Sequence, residues 1–155
     1  MARVLITGMS GAGKTTVLQE LSRRGYRTID TDYDGWVLPD GTWDEPRMSA
    51  LLASDLSLVV SGTVENQRRF YDRFAAVVLL SAPVEVLIDR VSVRTNNRYG
   101  RSEDDQSAIR RYVLDVEPLL RNGATLELDG RRPVAELADE VERRVIARPI
   151  APDAR

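Results

Sequence analysis

The chain has 155 residues, 43% hydrophobic and 30% charged, which suits one soluble domain with a single core and is too short for two ordinary domains. A formal net charge of −2 gives no long-range attraction for a nucleic acid polymer. With no cysteine and no histidine, disulfides, thiolate nucleophiles and thiolate or imidazole metal sites are excluded, and any general base must be a carboxylate.

Val4-Leu5-Ile6-Thr7 reads as a short buried strand, and it runs into Gly8-Met9-Ser10-Gly11-Ala12-Gly13-Lys14-Thr15. A helix over 14–24 follows, with Val17, Leu18 and Leu21 on one face and Gly25 as its stop. This is the G-x-x-x-x-G-K-[ST] phosphate loop in the strand-to-helix setting that the motif requires. Its glycines let consecutive N–H groups point inward as an anion nest, reinforced by the positive end of the helix. Gly8, Ser10, Gly11, Ala12 and Gly13 then form the cradle. Lys14 reaches the β- and γ-phosphates of ATP, Thr15 offers its hydroxyl to Mg²⁺, and Thr16 is placed for the α-phosphate. Lys14 is also the only lysine among the 22 basic residues. A bias that writes arginine wherever either cation serves leaves behind only a lysine that a wide, forked guanidinium cannot replace.

The second strand is expected at 26–29 and ends in Asp30-Thr31-Asp32. A loop over 31–45, rich in Asp, Gly and Trp, leads to a helix from Glu45 to about residue 54, with Pro46 near its first turn. The third strand covers 56–60 and a short helical piece covers 64–72. The fourth strand, 75–80, is apolar throughout, as a strand covered on both faces should be. A helix over 83–93 is followed by a segment, 94–101, with no apolar period, read as a mobile loop. Ser102 with Asp105 resembles a capping box opening a helix that continues to about Gly123. A fifth strand over 124–128 and a helix from Pro133, with Val134, Leu137, Val141 and Val145 on one face, complete the pattern. The fold class is therefore α/β: a three-layer α/β/α domain over 1–147 around a five-stranded parallel sheet, with a frayed tail over 148–155. Such sheets bind ligands at the carboxyl ends of their strands.

Regulatory GTPases are excluded, because the Asn-Lys-x-Asp guanine motif needs a second lysine. Asp32-Tyr33-Asp34-Gly35 matches D-x-x-G by accident, since it follows the loop too closely. Transporter ATPases are excluded by the missing Leu-Ser-Gly-Gly and by chain length.

Over 1–147 the chain resembles the small phosphate-loop kinases, the group of adenylate, shikimate and gluconate kinases. Residues 86–94, with Arg90 and Arg94, look like the segment entering the lid of those enzymes. The resemblance implies that Arg90 lies against adenine, that Arg94 clamps phosphates, and that Arg98 and Arg101 belong to a mobile lid over about 94–102. Arg110 or Arg111 would be the arginine returning after the lid. Asp129-Gly130-Arg131-Arg132-Pro133 matches the place where the family's backbone brackets adenine, which gives Arg131 and Pro133 to the nucleotide. Asp30 and Asp32 resemble the D-x-D of shikimate kinases, in which the first assists the Mg²⁺ shell and the second holds the acceptor hydroxyl; Asp34 reads as structural.

Two features depart from that family. The third strand ends in Ser61-Gly62 rather than in a Mg²⁺ aspartate, and Gly62-Thr63-Val64-Glu65-Asn66-Gln67 stands where shikimate kinases carry three glycines. Glu65, Asn66 and Gln67, with Arg47 and Arg68 or Arg69, either line an acceptor pocket or form a solvated helix start. Trp36 and Trp43 either stack on a flat acceptor or plug the edge of the core. The expected activity is ATP- and Mg²⁺-dependent transfer of the γ-phosphoryl, with Lys14, Asp32, Arg94 and Arg101 catalytic, to a nucleotide, nucleoside or small hydroxyl metabolite. A shikimate, antibiotic or sugar kinase, or a non-catalytic nucleotide switch or weak ATPase, are the alternatives. The partners are ATP and a small acceptor, without nucleic acid or membrane, in a cytoplasmic monomer or homodimer.

Overall fold

The computed structural model describes residues 2–54, 57–93 and 101–146. Five parallel strands, β1 (Arg3–Gly8), β2 (Arg27–Asp30), β3 (Leu58–Ser61), β4 (Ala76–Ser81) and β5 (Leu126–Asp129), lie in the order β2-β3-β1-β4-β5. Six helices connect or follow them: α1 (Lys14–Arg23), α2 (Glu45–Leu52), α3 (Val84–Val93), α4 (Glu103–Asp115), α5 (Glu117–Gly123) and α6 (Val134–Ile146). The phosphate loop leaves the central strand, so the ligand end of the sheet converges on it. None of the described helices is long and apolar enough to cross a membrane.

The sheet separates two apolar layers because successive side chains of a strand point to opposite faces. Val4 and Ile6 of β1 join Val17, Leu21, Leu87, Leu137 and Val141 on one side. Leu5 joins Trp36, Trp43, Met48, Phe70 and Phe74 on the other. Both tryptophans therefore belong to the core edge. Trp43 is fully buried, donates from Nε1 to the Thr31 hydroxyl at 3.0 Å and packs edge-on against Phe70. Trp36 lies under the Arg47 guanidinium at 3.8 Å. Stacking on a flat acceptor, one of the two roles open to these rings, is not available to either.

Two elements differ from expectation. The piece expected to be helical over 64–72 is a 3₁₀ helix, Gln67–Arg73. The single helix expected from Ser102 to Gly123 is two, α4 and α5, broken at Val116. Pro118 explains the break: it has no N–H for the Leu114 carbonyl and its ring would collide with that turn. The Ser102 cap itself is present, accepting from the Asp105 amide at 3.0 Å.

Helices α1 and α6 are tied by an ion-pair network in which Arg24 meets Glu20, Asp139 and Glu142 at 2.8 Å each. Hydrogen bonds from Arg23 and Arg24 hold the Glu20 carboxyl at about 2, below its ordinary 4.5. Arg131 likewise holds Asp129 at about 2, below 3.8. A depressed carboxylate stabilises the fold above its unfolded pKa and loses that contribution as pH falls through the folded value. Urea midpoints should therefore decline as pH falls from 4.5 toward about 2, and Glu20→Gln should make that decline shallower. The loss at Asp129 is small, because its side chain is 41% exposed and screened by solvent.

Candidate active site

The phosphate loop has the backbone that its glycines permit, with positive φ at Gly8, Gly11 and Gly13. Gly11 is doubly constrained: at φ 87° a Cβ would also stand 2.7 Å from the Leu87 carbonyl oxygen of α3. Gly130, after β5, presses against the Ala12 carbonyl so closely that no side chain fits between them. Arg90 fastens this junction. Its guanidinium donates to the carbonyls of Gly11 at 3.1 Å and Ala12 at 3.4 Å on one side and of Gly130 at 2.8 Å on the other. Arg90 is thus fixed between the loop and the 129–133 segment that the resemblance gives to adenine. Arg90→Ala should weaken ATP binding about tenfold in calorimetry, as expected when a charged hydrogen-bonding group is removed; unchanged affinity would remove Arg90 from the nucleotide site.

Lys14 folds back over the loop, donating from Nζ to the Gly8 carbonyl at 2.6 Å and to the Met9 carbonyl at 3.1 Å. The ammonium therefore already stands at the mouth of the cradle. Thr15 donates to Asp30 Oδ2 at 3.4 Å, and Asp30 Oδ1 accepts from the Asp32 amide at 3.1 Å. Between the two aspartates Thr31 is fully buried, its hydroxyl bonded to the Ser61 carbonyl at 2.8 Å. That inward anchor sends both neighbours to the outer side of the strand exit. Asp30 pairs in register with Ser61, so β2 presents a carboxylate beside the hydroxyl with which β3 ends. Thr15 and Asp30 together supply hard oxygen donors of the type that Mg²⁺ takes. Among the described residues no three His, Cys, Asp or Glu side chains gather as a metal site, so a Mg²⁺ ion held here would also need hydroxyl, phosphate and water oxygens.

Gly8, Met9, Ser10, Lys14 and Asp32 open onto one cavity of about 920 Å³. Burial raises the Asp32 carboxyl above the ordinary range, the nearby Asp30 charge raises it further, and Lys14 opposes both. A carboxylate with a raised pKa is a better proton acceptor than an ordinary surface aspartate.

A second group, which the sequence does not announce, braces the floor of this cavity. Gln67 is buried and donates to the Thr7 hydroxyl at 3.1 Å and the Tyr71 hydroxyl at 2.7 Å, while its carbonyl accepts from the Val64 amide at 2.9 Å. Thr7 meets Thr63 at 3.0 Å, and Thr63 donates to the Gly8 carbonyl at 2.7 Å. The chain Tyr71–Gln67–Thr7–Thr63–Gly8 links the cavity wall to the start of the phosphate loop. Gln67 is consequently a strut. Asn66 is one too, clamping the Trp43 backbone at both its N–H, 2.9 Å, and its carbonyl, 3.1 Å. Of the polar residues considered for an acceptor pocket, Glu65, Gln67 and Arg68 line the cavity; Arg69 faces Glu45, and Arg47 holds the Asp34 carbonyl. Asp34, at φ 65°, is a turn residue.

The other sequence candidates lie around the rim. Thr16 is exposed on the first turn of α1, and Arg101 is exposed just before the α4 cap. Arg110 is turned toward α3, paired with Glu85 at 2.5 Å, and Arg111 is exposed. Arg131 is held by Asp129 at 2.7 Å beside a separate cavity of about 380 Å³, and the Pro133 carbonyl starts α6. Arg94 and Arg98, with most of the expected lid, lie outside the described residues.

A family profile described as an AAA domain matches residues 4–111. The shikimate kinase of Dechloromonas aromatica is 31% identical, over 85% of this chain and 83% of that protein. The chain belongs to the small P-loop kinase family. Among solved structures, the shikimate kinase of Acinetobacter baumannii in complex with shikimate matches this small P-loop kinase fold with a TM-score of 0.71 at 21% identity, covering 97% of this chain and 96% of that one. A nucleotide-binding protein of Rhodospirillum rubrum is 32% identical over 90% of this chain, which spans only 41% of that relative.

Proposed function

We propose that the protein is an ATP- and Mg²⁺-dependent phosphotransferase acting on the hydroxyl of a small molecule. The observation that carries this reading is that the phosphate loop, Lys14 and Asp32 face one cavity, so that a terminal phosphate and an acceptor hydroxyl meet between them. The acceptor oxygen forms the new P–O bond, the bond from the γ-phosphorus to the β–γ bridging oxygen breaks, ADP leaves, and Asp32 takes the hydroxyl proton. Lys14 exchanges the Gly8 and Met9 carbonyls for phosphate oxygens, and its charge offsets the charge spreading over the phosphoryl group. Thr15 and Asp30 are the residues that would hold Mg²⁺, which would neutralise phosphate charge when bound. Arg90 sets the nucleotide wall; Arg131 and Pro133 lie on the segment assigned to adenine; Arg94 and Arg101 are assigned to the closing lid.

A nucleotide-binding switch is the second reading, favoured by Ser61 where a metal aspartate would stand on β3. ATP consumption measured with nucleosides, nucleoside monophosphates, shikimate, gluconate and aminoglycosides separates the two. A responder that raises ATP turnover well above the basal rate is expected. ATP binding with no stimulation by any acceptor would leave the switch.

A further inference from the structure

We infer that the cavity beside the phosphate loop selects an acceptor with an apolar body and no anionic group. The inference rests on the kinase reading only for which atom reacts.

The wall opposite the loop comes from the broken helix pair. The kink at Val116 lets α4 and α5 turn Ile109, Tyr112, Val116, Leu119 and Leu120 to the same cavity. Two of these are unusually open for large apolar side chains, with Leu119 65% and Tyr112 49% exposed. An apolar ligand face laid against them removes that area from water, which is favourable in proportion to the area covered. None of the three cations of α4 and α5 lines this wall: Arg110 is held by Glu85 on α3, Arg121 by Glu117 and Glu127, and Arg111 is exposed outside the lining.

The charges on the lining point the same way. Asp32, Asp40 and Glu65 face the cavity, against Lys14 and Arg68. Lys14 is committed to the loop and its phosphates, which leaves, among the described residues, three carboxylates facing one guanidinium, all four on exposed residues. A carboxylate or phosphate on the acceptor would meet like charge in a partly closed space, whereas an uncharged alcohol would not. At about 920 Å³ the cavity has room for a ring-sized body as well as the terminal phosphates.

Matched pairs that differ only in charge test this: thymidine against thymidine 5′-monophosphate, and shikimate methyl ester against shikimate. Binding of each is measured by calorimetry to the full chain, with and without Mg²⁺ and a non-hydrolysable ATP analogue. The uncharged member should bind about tenfold more tightly, as like-charge repulsion is removed. Leu119→Ala, at an exposed position that leaves the thermal midpoint unchanged, should weaken that member about tenfold by removing apolar contact. Tighter binding of an anion in either pair, no binding of either uncharged member, or an unaffected Leu119→Ala would overturn the inference. ATP consumption is scored separately. Tight uncharged binding without turnover would keep the selectivity and remove the kinase, while turnover driven best by the anions would keep the kinase and remove the selectivity.

Discussion

Lys14→Arg should lower phosphoryl transfer by about a hundredfold to a thousandfold, the usual consequence of removing one preorganised donor from a developing negative charge. The thermal midpoint should stay near that of the parent protein. The reason lies in the size of the space. The ammonium reaches the carbonyls of Gly8 and Met9 at 2.6 and 3.1 Å, within a loop whose backbone is pinned from behind by Leu80, Leu87 and Arg90. A guanidinium carries the same charge but is planar and wider, and it places its donors in a fork rather than at a point. It cannot enter the cradle without moving a backbone that has no room to move. Steady-state turnover with the best acceptor of the panel, together with calorimetric ATP binding, checks this. Turnover within a few-fold of the parent would mean that charge alone suffices at this position.

Asp32→Asn should reduce kcat by about 10²- to 10⁴-fold, the range for loss of a positioned general base, while ATP affinity changes little. The separation follows from the two aspartates' different partners. Asp30 faces the Thr15 hydroxyl and accepts the Asp32 amide, whereas the Asp32 carboxylate opens to the cavity. The asparagine keeps the shape and the backbone hydrogen bond and removes only the proton-accepting charge. Equal losses in turnover and ATP affinity would reassign Asp32 to the metal. Asp30→Asn should show the opposite balance, with a higher Mg²⁺ requirement, readable from titrations of activity against free Mg²⁺.

The legible parts of this chain were those that a short stretch encodes. The glycine spacing of residues 8–13 dictates a left-handed, inward-facing backbone wherever it is placed, and the apolar runs of β1, β3 and β4 dictate burial on both faces. The helix break at Val116 was also written locally, in Pro118, although capping and apolar period on either side suggested a continuous helix. Trp36 and Trp43 were ambiguous because an aromatic ring serves a core edge and a ligand equally well; the choice was made by Thr31, Phe70 and Arg47, which pack against them from elsewhere in the chain.

Residues 4 to 16 thus encode the conformation and the cation of the proposed phosphate site, although Leu80, Leu87 and Arg90 pack the loop in place. The cavity wall proposed for the acceptor is different in kind. It is assembled from residues 32–41, 63–71 and 109–123, which meet only after the sheet has formed and α4 and α5 have folded across its carboxyl end. Whether Gln67 is a strut or a ligand, and whether the far wall is charged or apolar, follows from long-range packing and burial, which no local spacing encodes.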